Sequence, residues 1–196
     1  MIVCIEGLPG SGKTTSAPLL AARIAGTALC ETTHNHPFLE TVYDDSVRVD
    51  LPVELGFLLL HNSGYRSAVA LGLSVVMDFS PGKDRVFAEL MLTEDDLTVF
   101  RSVYTRLYEA MPEPDVTLFL DASPSLCAER VDHRRASDPS RDFEARLTIS
   151  KLQEIQAAYE SHLDGLGKRV LRLPVSERDG EEDVAAGLAA LLSERL

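Results

Sequence analysis

The chain has 196 residues, of which 45% are hydrophobic and 26% charged, a composition typical of an ordinary globular protein with a single core. Its net charge of -12 argues against a nucleic-acid polymer as a partner, because affinity for a phosphate backbone rests on clustered Lys and Arg. No apolar run is long enough to span a membrane and no secretory signal precedes the first strand, so we expect one cytoplasmic domain over residues 1–196.

The first predicted strand, residues 2–5, leads into Gly7-Leu8-Pro9-Gly10-Ser11-Gly12-Lys13-Thr14. This pattern of Gly, four residues and Gly-Lys-Thr is typical of a loop whose N–H groups hold a polyphosphate at a helix N-terminus. Lys13 is predicted to reach the outer phosphates, and the Thr14 hydroxyl to ligate magnesium. A glycine-rich turn that binds nothing is the alternative, and the strand before the loop argues against it. The predicted ATP-binding residues are Gly7, Pro9, Gly10, Ser11, Gly12, Lys13, Thr14 and Thr15.

A helix is predicted over residues 15–25, followed by a second strand over residues 27–30 that ends at Glu31. Ligands of open α/β sheets gather at the carboxyl ends of the strands. Glu31 is therefore a candidate to accept a proton from an attacking hydroxyl, the alternative being an exposed carboxylate near a turn.

We predict a loop with a short helix over residues 34–45 and a long helix over residues 51–71. Tyr43 in the loop is either a core aromatic or a substrate contact. His34 and His36 lack the neighbouring ligands of a metal site, so we interpret them as loop residues.

A buried strand over residues 74–77 ends at Asp78, and another over residues 116–120 ends at Asp121. Either carboxylate at such a position is a candidate magnesium ligand, and we favour Asp78. Between them a capped helix is predicted from Thr93, with an apolar stripe of Leu97, Phe100, Tyr104, Leu107 and Met111.

The next predicted helix, capped by Ser123, carries Arg130 and Arg134 one turn apart on one face. With a polar loop after it, this stretch is a candidate lid over the transferring phosphate, at about residues 134–142. A helix from Phe143 to Gly165, a strand over residues 169–173 and a closing helix over residues 181–196 complete the chain. The alternation of strands and helices predicts a three-layer α/β fold, with a five-stranded parallel sheet covered by helices on both faces.

Several of these segments resemble the deoxynucleoside kinase family of the P-loop nucleoside and nucleotide kinase group. The matching residues are Glu31 with Pro37, Leu39, Tyr43 and Asp45; Asp78-Phe79-Ser80 with Asp84 and Phe87; and Leu120 to Pro124 with Cys127, Arg130, Arg134, Arg141 and Glu144.

This resemblance implies a role for each matched position. Glu31 is the base for the 5′-hydroxyl of a sugar, Tyr43 touches the 3′-hydroxyl, and Asp84 touches the nucleobase. Asp78 serves the metal, the lid arginines cover ATP, and Glu144 holds the sugar. The resemblance also implies a homodimer.

The chain departs from the family pattern at two positions. Phe79 stands where the family has an Arg that helps to hold the 5′ end, and the Gln that pairs with the nucleobase falls on Leu60 or His61. These departures leave the nucleobase preference open.

The sequence therefore predicts an ATP-dependent kinase that phosphorylates the 5′-hydroxyl of a nucleoside or a nucleoside-like small molecule, with Glu31, Lys13 and Arg130 as catalytic residues. One alternative is a nucleoside monophosphate kinase of the thymidylate kinase type, which needs cations for an acceptor phosphate. A small-metabolite kinase and a nucleotide-binding regulator without activity are the others.

Overall fold

The computed structural model describes residues 1–31, 36, 38 and 50–195. Tyr43 and most of the loop predicted over residues 34–45 lie outside the described residues, so the prediction for Tyr43 stays a prediction.

A five-stranded sheet forms the middle layer, and all of its strand pairs are parallel. Its order is β2-β3-β1-β4-β5, which confirms the predicted parallel sheet. The strands are β1 (Ile2–Gly7), β2 (Thr27–Leu29), β3 (Val75–Met77), β4 (Val116–Ala122) and β5 (Val170–Val175).

Helices connect the strands and cover the sheet. They are α1 (Lys13–Arg23), α2 (Asp50–Leu71), α3 (Pro81–Met91), α4 (Glu94–Tyr108), α5 (Pro124–Ser137), α6 (Ile149–Leu166) and α7 (Glu181–Ser193), with 3-10 helices at Pro139–Arg146 and Gly167–Arg169.

Helix α3 was not predicted from the sequence, although the sequence carries its start signal. The Ser80 side chain accepts a hydrogen bond from the Lys83 backbone N–H, and Pro81 occupies the first turn. This pair of an N-cap serine and an early proline is a common way for a helix to begin.

The helix predicted from Phe143 begins later in the structure, so its predicted start is wrong. Phe143 belongs to the 3-10 helix, and Leu147 follows that helix as its C-terminal cap. The Thr148 side chain then caps α6 by accepting a hydrogen bond from the Lys151 backbone N–H. Phe143 and Leu147 have the same apolar spacing as the buried residues of α6, and this spacing hid the boundary between the 3-10 helix and α6.

Apolar side chains pack on both faces of the sheet. Val3 and Ile5 of β1 belong to the larger core cluster, whereas Ile2 and Cys4 belong to a second cluster that includes Tyr65 of α2. This alternation along one strand is what a parallel sheet buried on both faces requires.

The strand order also positions the candidate site. The loop at residues 7–14 follows β1 at the centre of the sheet, Asp78 follows the neighbouring β3, and Glu31 lies just beyond β2, the next strand outward. Since the carboxyl ends of parallel strands meet at one edge, these three segments lie together.

We expect Gly10→Ala to lower the free energy of unfolding by about 1–3 kcal/mol. Gly10 has φ +85°, and a Cβ there would lie 2.5 Å from the Cys127 carbonyl oxygen. Urea denaturation of the purified variant measures the effect.

Gly165→Ala is the matched control, because a Cβ at that position in α6 meets nothing within 4 Å. This variant should gain about 0.5–1 kcal/mol from the better helix propensity of alanine. Equal stability of Gly10→Ala and the wild type would show that the turn before α1 does not need glycine.

Candidate active site

The loop between β1 and α1 is built to surround an anion. Gly12 has φ +101°, and as the residue before α1 it offers no side-chain cap to the helix N–H groups. The Ser11 hydroxyl oxygen is buried and makes no hydrogen bond within the described residues. Backbone donors at a helix N-terminus and a spare hydroxyl beside them suit a polyphosphate.

Lys13 lies across the start of this loop. Its Nζ donates hydrogen bonds to the carbonyl oxygens of Gly7, at 2.8 Å, and Leu8, at 2.9 Å. Burial lowers the pKa of Lys13 to about 8, with the nearby charge of Lys83 acting in the same direction and those of Asp78 and Glu31 opposing it. The ammonium group therefore lies within electrostatic reach of the carboxylates that follow β2 and β3.

Glu31 meets two cationic groups on one of its oxygens. The Lys83 Nζ donates a hydrogen bond to Oε2, and the His61 Nε2 lies 3.4 Å from the same atom. Burial opposes ionisation, but the charges of Lys83 and His61 outweigh it and hold the pKa of Glu31 well below its usual range. Glu31 is thus an ionised carboxylate, and within the described residues no hydrogen bond or ion pair falls on Oε1.

His61 and Asp84 form a buried pair on the acceptor side of Glu31. The His61 Nδ1 lies 2.5 Å from the Asp84 Oδ1, and Phe79 stacks on the imidazole ring with centroids 4.5 Å apart. Burial opposes the charged imidazole, but Asp84 raises the pKa of His61 to about 9. The Asp84 Oδ2 is buried without a hydrogen bond in the described part of the chain, so it is available to a ligand.

Glu54 lies two helical turns before His61 on α2, on the same side of the helix. Only 7% of its surface is exposed, and no hydrogen bond to it exists among the described residues. Burial and the charge of Asp84 raise the pKa of Glu54 to about 8. At neutral pH this side chain is therefore a protonated acid that can both donate and accept a hydrogen bond.

The residues predicted to hold magnesium suit that ion. Asp78 is buried and its Oδ1 accepts a hydrogen bond of 2.6 Å from the Glu31 backbone N–H, which fixes the carboxylate beside the predicted base. Thr14 lies in the first turn of α1, and its carbonyl oxygen accepts a weak hydrogen bond from the Cys30 thiol. Mg²⁺ commonly uses one carboxylate, one hydroxyl, phosphate oxygens and water, and does not require a cluster of acids. No group of three or more His, Cys, Asp or Glu able to hold a metal occurs within residues 1–31, 36, 38 and 50–195.

The arginines of the predicted lid divide into two groups. Arg130 donates from Nη1 to the Ser11 carbonyl oxygen at 3.4 Å, which joins α5 to the phosphate loop. Arg134 donates two hydrogen bonds to the buried Glu144 carboxylate, at 2.9 and 2.5 Å, and Arg141 donates a third at 3.2 Å. Glu144 thus joins Arg134 of α5 to Arg141 of the 3-10 helix that follows.

Asp121, the competing metal ligand, belongs to β4 itself. Its charge acts on Arg172 of the neighbouring β5, whose pKa is raised mainly by its hydrogen bonds to Glu160 and to a smaller extent by Asp121. His36, the other residue weighed for a metal, is buried with Nε2 2.8 Å from the Val53 carbonyl oxygen, as expected for loop packing.

Sequence reasoning missed Lys83, Glu54 and Glu6. Lys83 had a signal, since a Ser-Pro helix start places it in the first turn of α3 beside Asp84. Glu6 also had one, because it is a charged residue inside an otherwise apolar strand. Glu54 had none, because an acid in a long helix is ordinarily exposed.

Glu6 lies beneath the site and lines a separate cleft of about 480 Å³ between α3, α4 and α6. The Ser80 hydroxyl donates a hydrogen bond to its Oε1, while Oε2 has no partner in the described chain. Burial raises the pKa of Glu6 to about 7, although Ser80 and the charges of Lys13 and Lys83 oppose the shift. Tyr108 and His162 contribute further unpartnered polar atoms to the cleft lining, again counting described residues only.

A family model described as "Deoxynucleoside kinase" matches residues 3–187. The deoxyguanosine kinase of Bacillus subtilis (strain 168) is 26% identical over 183 residues, which cover 91% of this chain and 86% of the relative. The deoxyadenosine/deoxycytidine kinase of the same organism is 29% identical over 188 residues, with coverages of 91% and 84%.

Among solved structures, a deoxyadenosine kinase from M. mycoides with the products dCMP and a flexible dCDP bound superposes with a TM-score of 0.80. The match covers 100% of this chain and 98% of that chain at 15% sequence identity. The two chains therefore share the three-layer P-loop kinase fold.

Within the part of the chain that the structure describes, none of the helices combines the length and the hydropathy that a membrane span requires.

We expect Glu54→Gln to make stability less dependent on pH. The pKa of Glu54 is about 8 in the folded chain against 4.5 for the ordinary group, so the folded state keeps a proton that the unfolded state releases between these values. The contribution of Glu54 to the free energy of unfolding of the wild type is therefore fully present below pH 4.5 and is lost as the pH rises through 8.

Urea denaturation at pH 5 and pH 8.5 checks this expectation. Glu54→Gln should match the wild type at the lower pH and exceed it at the higher pH by an amount on the order of 2 kcal/mol. The exposed Glu154 provides a control through Glu154→Gln, which should show no such difference. An equal effect of Glu54→Gln at both pH values would contradict a buried, protonated Glu54.

Proposed function

Because this chain belongs to the deoxynucleoside kinase family, we propose that it transfers the γ-phosphate of ATP to the 5′-hydroxyl of a deoxynucleoside or a nucleoside-like small molecule. The observation that carries the proposal is the ionised Glu31 beside the phosphate loop, with Lys13 and Glu31 in electrostatic contact. One edge of the sheet thus holds both a polyphosphate cradle and a base.

The donor half of the reaction belongs to the loop and the lid. The loop N–H groups and Lys13 hold the β- and γ-phosphates, and Thr15 lies one residue further into α1. Arg130, which already contacts the loop at Ser11, neutralises charge on the transferring group. Thr14 and Asp78 would hold magnesium, which when bound neutralises phosphate charge and orients the γ-phosphate.

The acceptor half belongs to Glu31 and the pocket beyond it. Oε1 of Glu31 accepts the proton of the acceptor hydroxyl, the acceptor oxygen forms a bond to phosphorus, and the bond from phosphorus to the ADP oxygen breaks. His61 and Lys83 hold Oε2 and so orient Oε1. Phosphoryl transfer asks for little more than this positioning and charge neutralisation.

Recognition of the acceptor is assigned to the polar groups around this base. Asp84 and Glu54 line the region of a nucleobase, Tyr43 is proposed for the 3′-hydroxyl, and Glu144 for the sugar. For Asp84, the support is its unpartnered Oδ2. For Glu144 the resemblance is the support, and its pairing with Arg134 and Arg141 means that sugar binding and lid position are linked.

The chain is proposed to act as one kinase domain, with residues 134–142 as its lid, and as a cytoplasmic homodimer. The family resemblance supports these assignments. Sedimentation at micromolar concentration tests the dimer.

Glu31→Gln should abolish turnover, by at least about 100-fold in kcat, because the amide cannot accept the hydroxyl proton. ATP binding should persist, since the phosphate loop is unchanged. A coupled ADP-release assay measures turnover and titration calorimetry measures ATP affinity. Glu154→Gln on the exposed face of α6 is the control, and full activity of Glu31→Gln would remove this residue from the mechanism.

Acceptor identity separates the proposal from a nucleoside monophosphate kinase. Lys83 and His61 supply cations on the acceptor side, which favours that alternative, but the ionised Glu31 between them would repel an acceptor phosphate. We expect phosphorylation of deoxynucleosides and not of their 5′-monophosphates, measured by mass spectrometry of ATP-dependent products. Preferential phosphorylation of a monophosphate would support the alternative.

A further inference from the structure

The Lys83 ammonium group is the least expected member of the site. Lys83 lies in the first turn of α3, and only 17% of its side chain is exposed. Burial opposes its charge, yet Glu31, Asp84 and Asp78 raise the pKa of Lys83. The structure thus keeps a full positive charge inside the cluster of carboxylates at the edge of the sheet.

Lys83 and Lys13 approach the same space from different elements. The Lys13 Nζ donates to the Gly7 carbonyl oxygen, and the Lys83 backbone N–H donates to Ser80, whose hydroxyl donates to Glu6, so both residues lie at the end of β1. Burial lowers the pKa of Lys13 and the charge of Lys83 lowers it further. An anion between two like charges relieves their repulsion. A phosphoryl group on its way from the loop to the hydroxyl beside Glu31 is such an anion.

We infer that Lys83 is a catalytic residue that contacts the transferring phosphoryl group from the acceptor side, opposite Lys13. The inference rests on the proposed function, because it requires a hydroxyl acceptor beside Glu31. In the resting site Lys83 pairs with the Oε2 of Glu31.

The reaction changes the partner of this lysine. When Glu31 takes the hydroxyl proton its carboxyl group becomes neutral, while the new bond between the acceptor oxygen and phosphorus brings the phosphoryl oxygens within reach of Lys83. The bond to the ADP oxygen breaks and the proton stays on Glu31. Lys83 then pairs with the phosphate of the product in place of the carboxylate.

The local sequence supports this role. Lys83 is the only cation within residues 78–84, and Phe79, where the resembled family has an arginine, is buried and stacked on His61. The charge that position 79 lacks is present four residues later, in the same cluster.

The test compares Lys83→Met and Lys83→Arg with the wild type, using ATP and whichever of deoxyadenosine, deoxyguanosine, deoxycytidine and thymidine the wild type phosphorylates fastest. Lys83→Met should lower kcat by about 100- to 1,000-fold, as loss of a group that stabilises transition-state charge does. Its KM for the deoxynucleoside should change by less than about threefold, because the contact is made with the phosphoryl group. Lys83→Arg keeps the charge and should retain more activity than Lys83→Met.

Binding of product separates a catalytic role from a structural one. Lys83→Met should weaken binding of the 5′-monophosphate by about 10- to 100-fold, the usual worth of a charge-assisted hydrogen bond, and leave binding of the deoxynucleoside nearly unchanged. Lys151→Met is the matched control, since Lys151 also pairs with a glutamate, the exposed Glu154, but lies on α6 and belongs to no part of the candidate site. It should change neither affinity.

Equal loss of affinity for the deoxynucleoside and its monophosphate would overturn the inference, as would an unchanged kcat. If Lys83→Met does not fold, the double variant Lys83→Met with Glu31→Gln removes both charges of the pair, and its affinity for the monophosphate is compared with that of Glu31→Gln alone. A wild-type enzyme that phosphorylates none of the four deoxynucleosides refutes the proposed function for deoxynucleosides, and the inference made for them with it. A wild-type enzyme that is active while Lys83→Met is equally active refutes the inference alone.

Discussion

The ion pair between Lys83 and Glu31 joins the segments that follow β2 and β3 at the candidate active site. Glu31 stands beyond β2 at the edge of the sheet, and Lys83 comes from the first turn of α3, which begins after β3. Without the charges of Lys83 and His61, burial would favour the neutral form of this largely buried carboxyl group, and a neutral Glu31 could not accept a proton. The chemistry therefore depends on two neighbouring parallel strands ending side by side, so that the segments after them meet.

Positive and negative side chains are nearly equal in number at the edge of the sheet that holds the candidate site. The carboxylates of Glu31, Asp78 and Asp84 face the cations Lys13, Lys83 and His61, while Glu54 stays protonated. Such a site can take up a polyphosphate with its magnesium without gathering a large excess of either charge. An overall charge of -12 on the chain is thus compatible with handling of small anions, because the positive groups are concentrated where the anion lies.

Local patterns made the donor half of the site predictable. The glycine and lysine spacing of the phosphate loop has one structural meaning in a strand-loop-helix context. The position of an acid at a strand end made Asp78 a candidate as well, and Glu31 was the one acceptor-side residue with the same signal. The acceptor half was less accessible because it depends on side chains that meet only after folding. His61 and Glu54 come from α2, Asp84 and Lys83 from α3, and nothing in the helical periodicity of either segment distinguishes a polar residue in a pocket from one on an exposed face. The helix predicted to begin at Phe143 was wrong for the opposite reason. Its apolar spacing continues through the 3-10 helix, where the α-helix has not yet begun.

Ser80 has a mechanical consequence for the enzyme. Its hydroxyl oxygen accepts a hydrogen bond from the Lys83 backbone N–H, and the hydroxyl donates a hydrogen bond to Glu6. One side chain therefore links the start of α3 to β1, the strand that precedes the phosphate loop. The phosphate loop and the start of α3 are therefore tied to each other at the end of β1. Helix α5 is also packed on the loop, since a Cβ at Gly10 would lie 2.5 Å from the Cys127 carbonyl oxygen and Arg130 donates a hydrogen bond to Ser11. The segment proposed as the lid differs, because its arginines Arg134 and Arg141 bind Glu144.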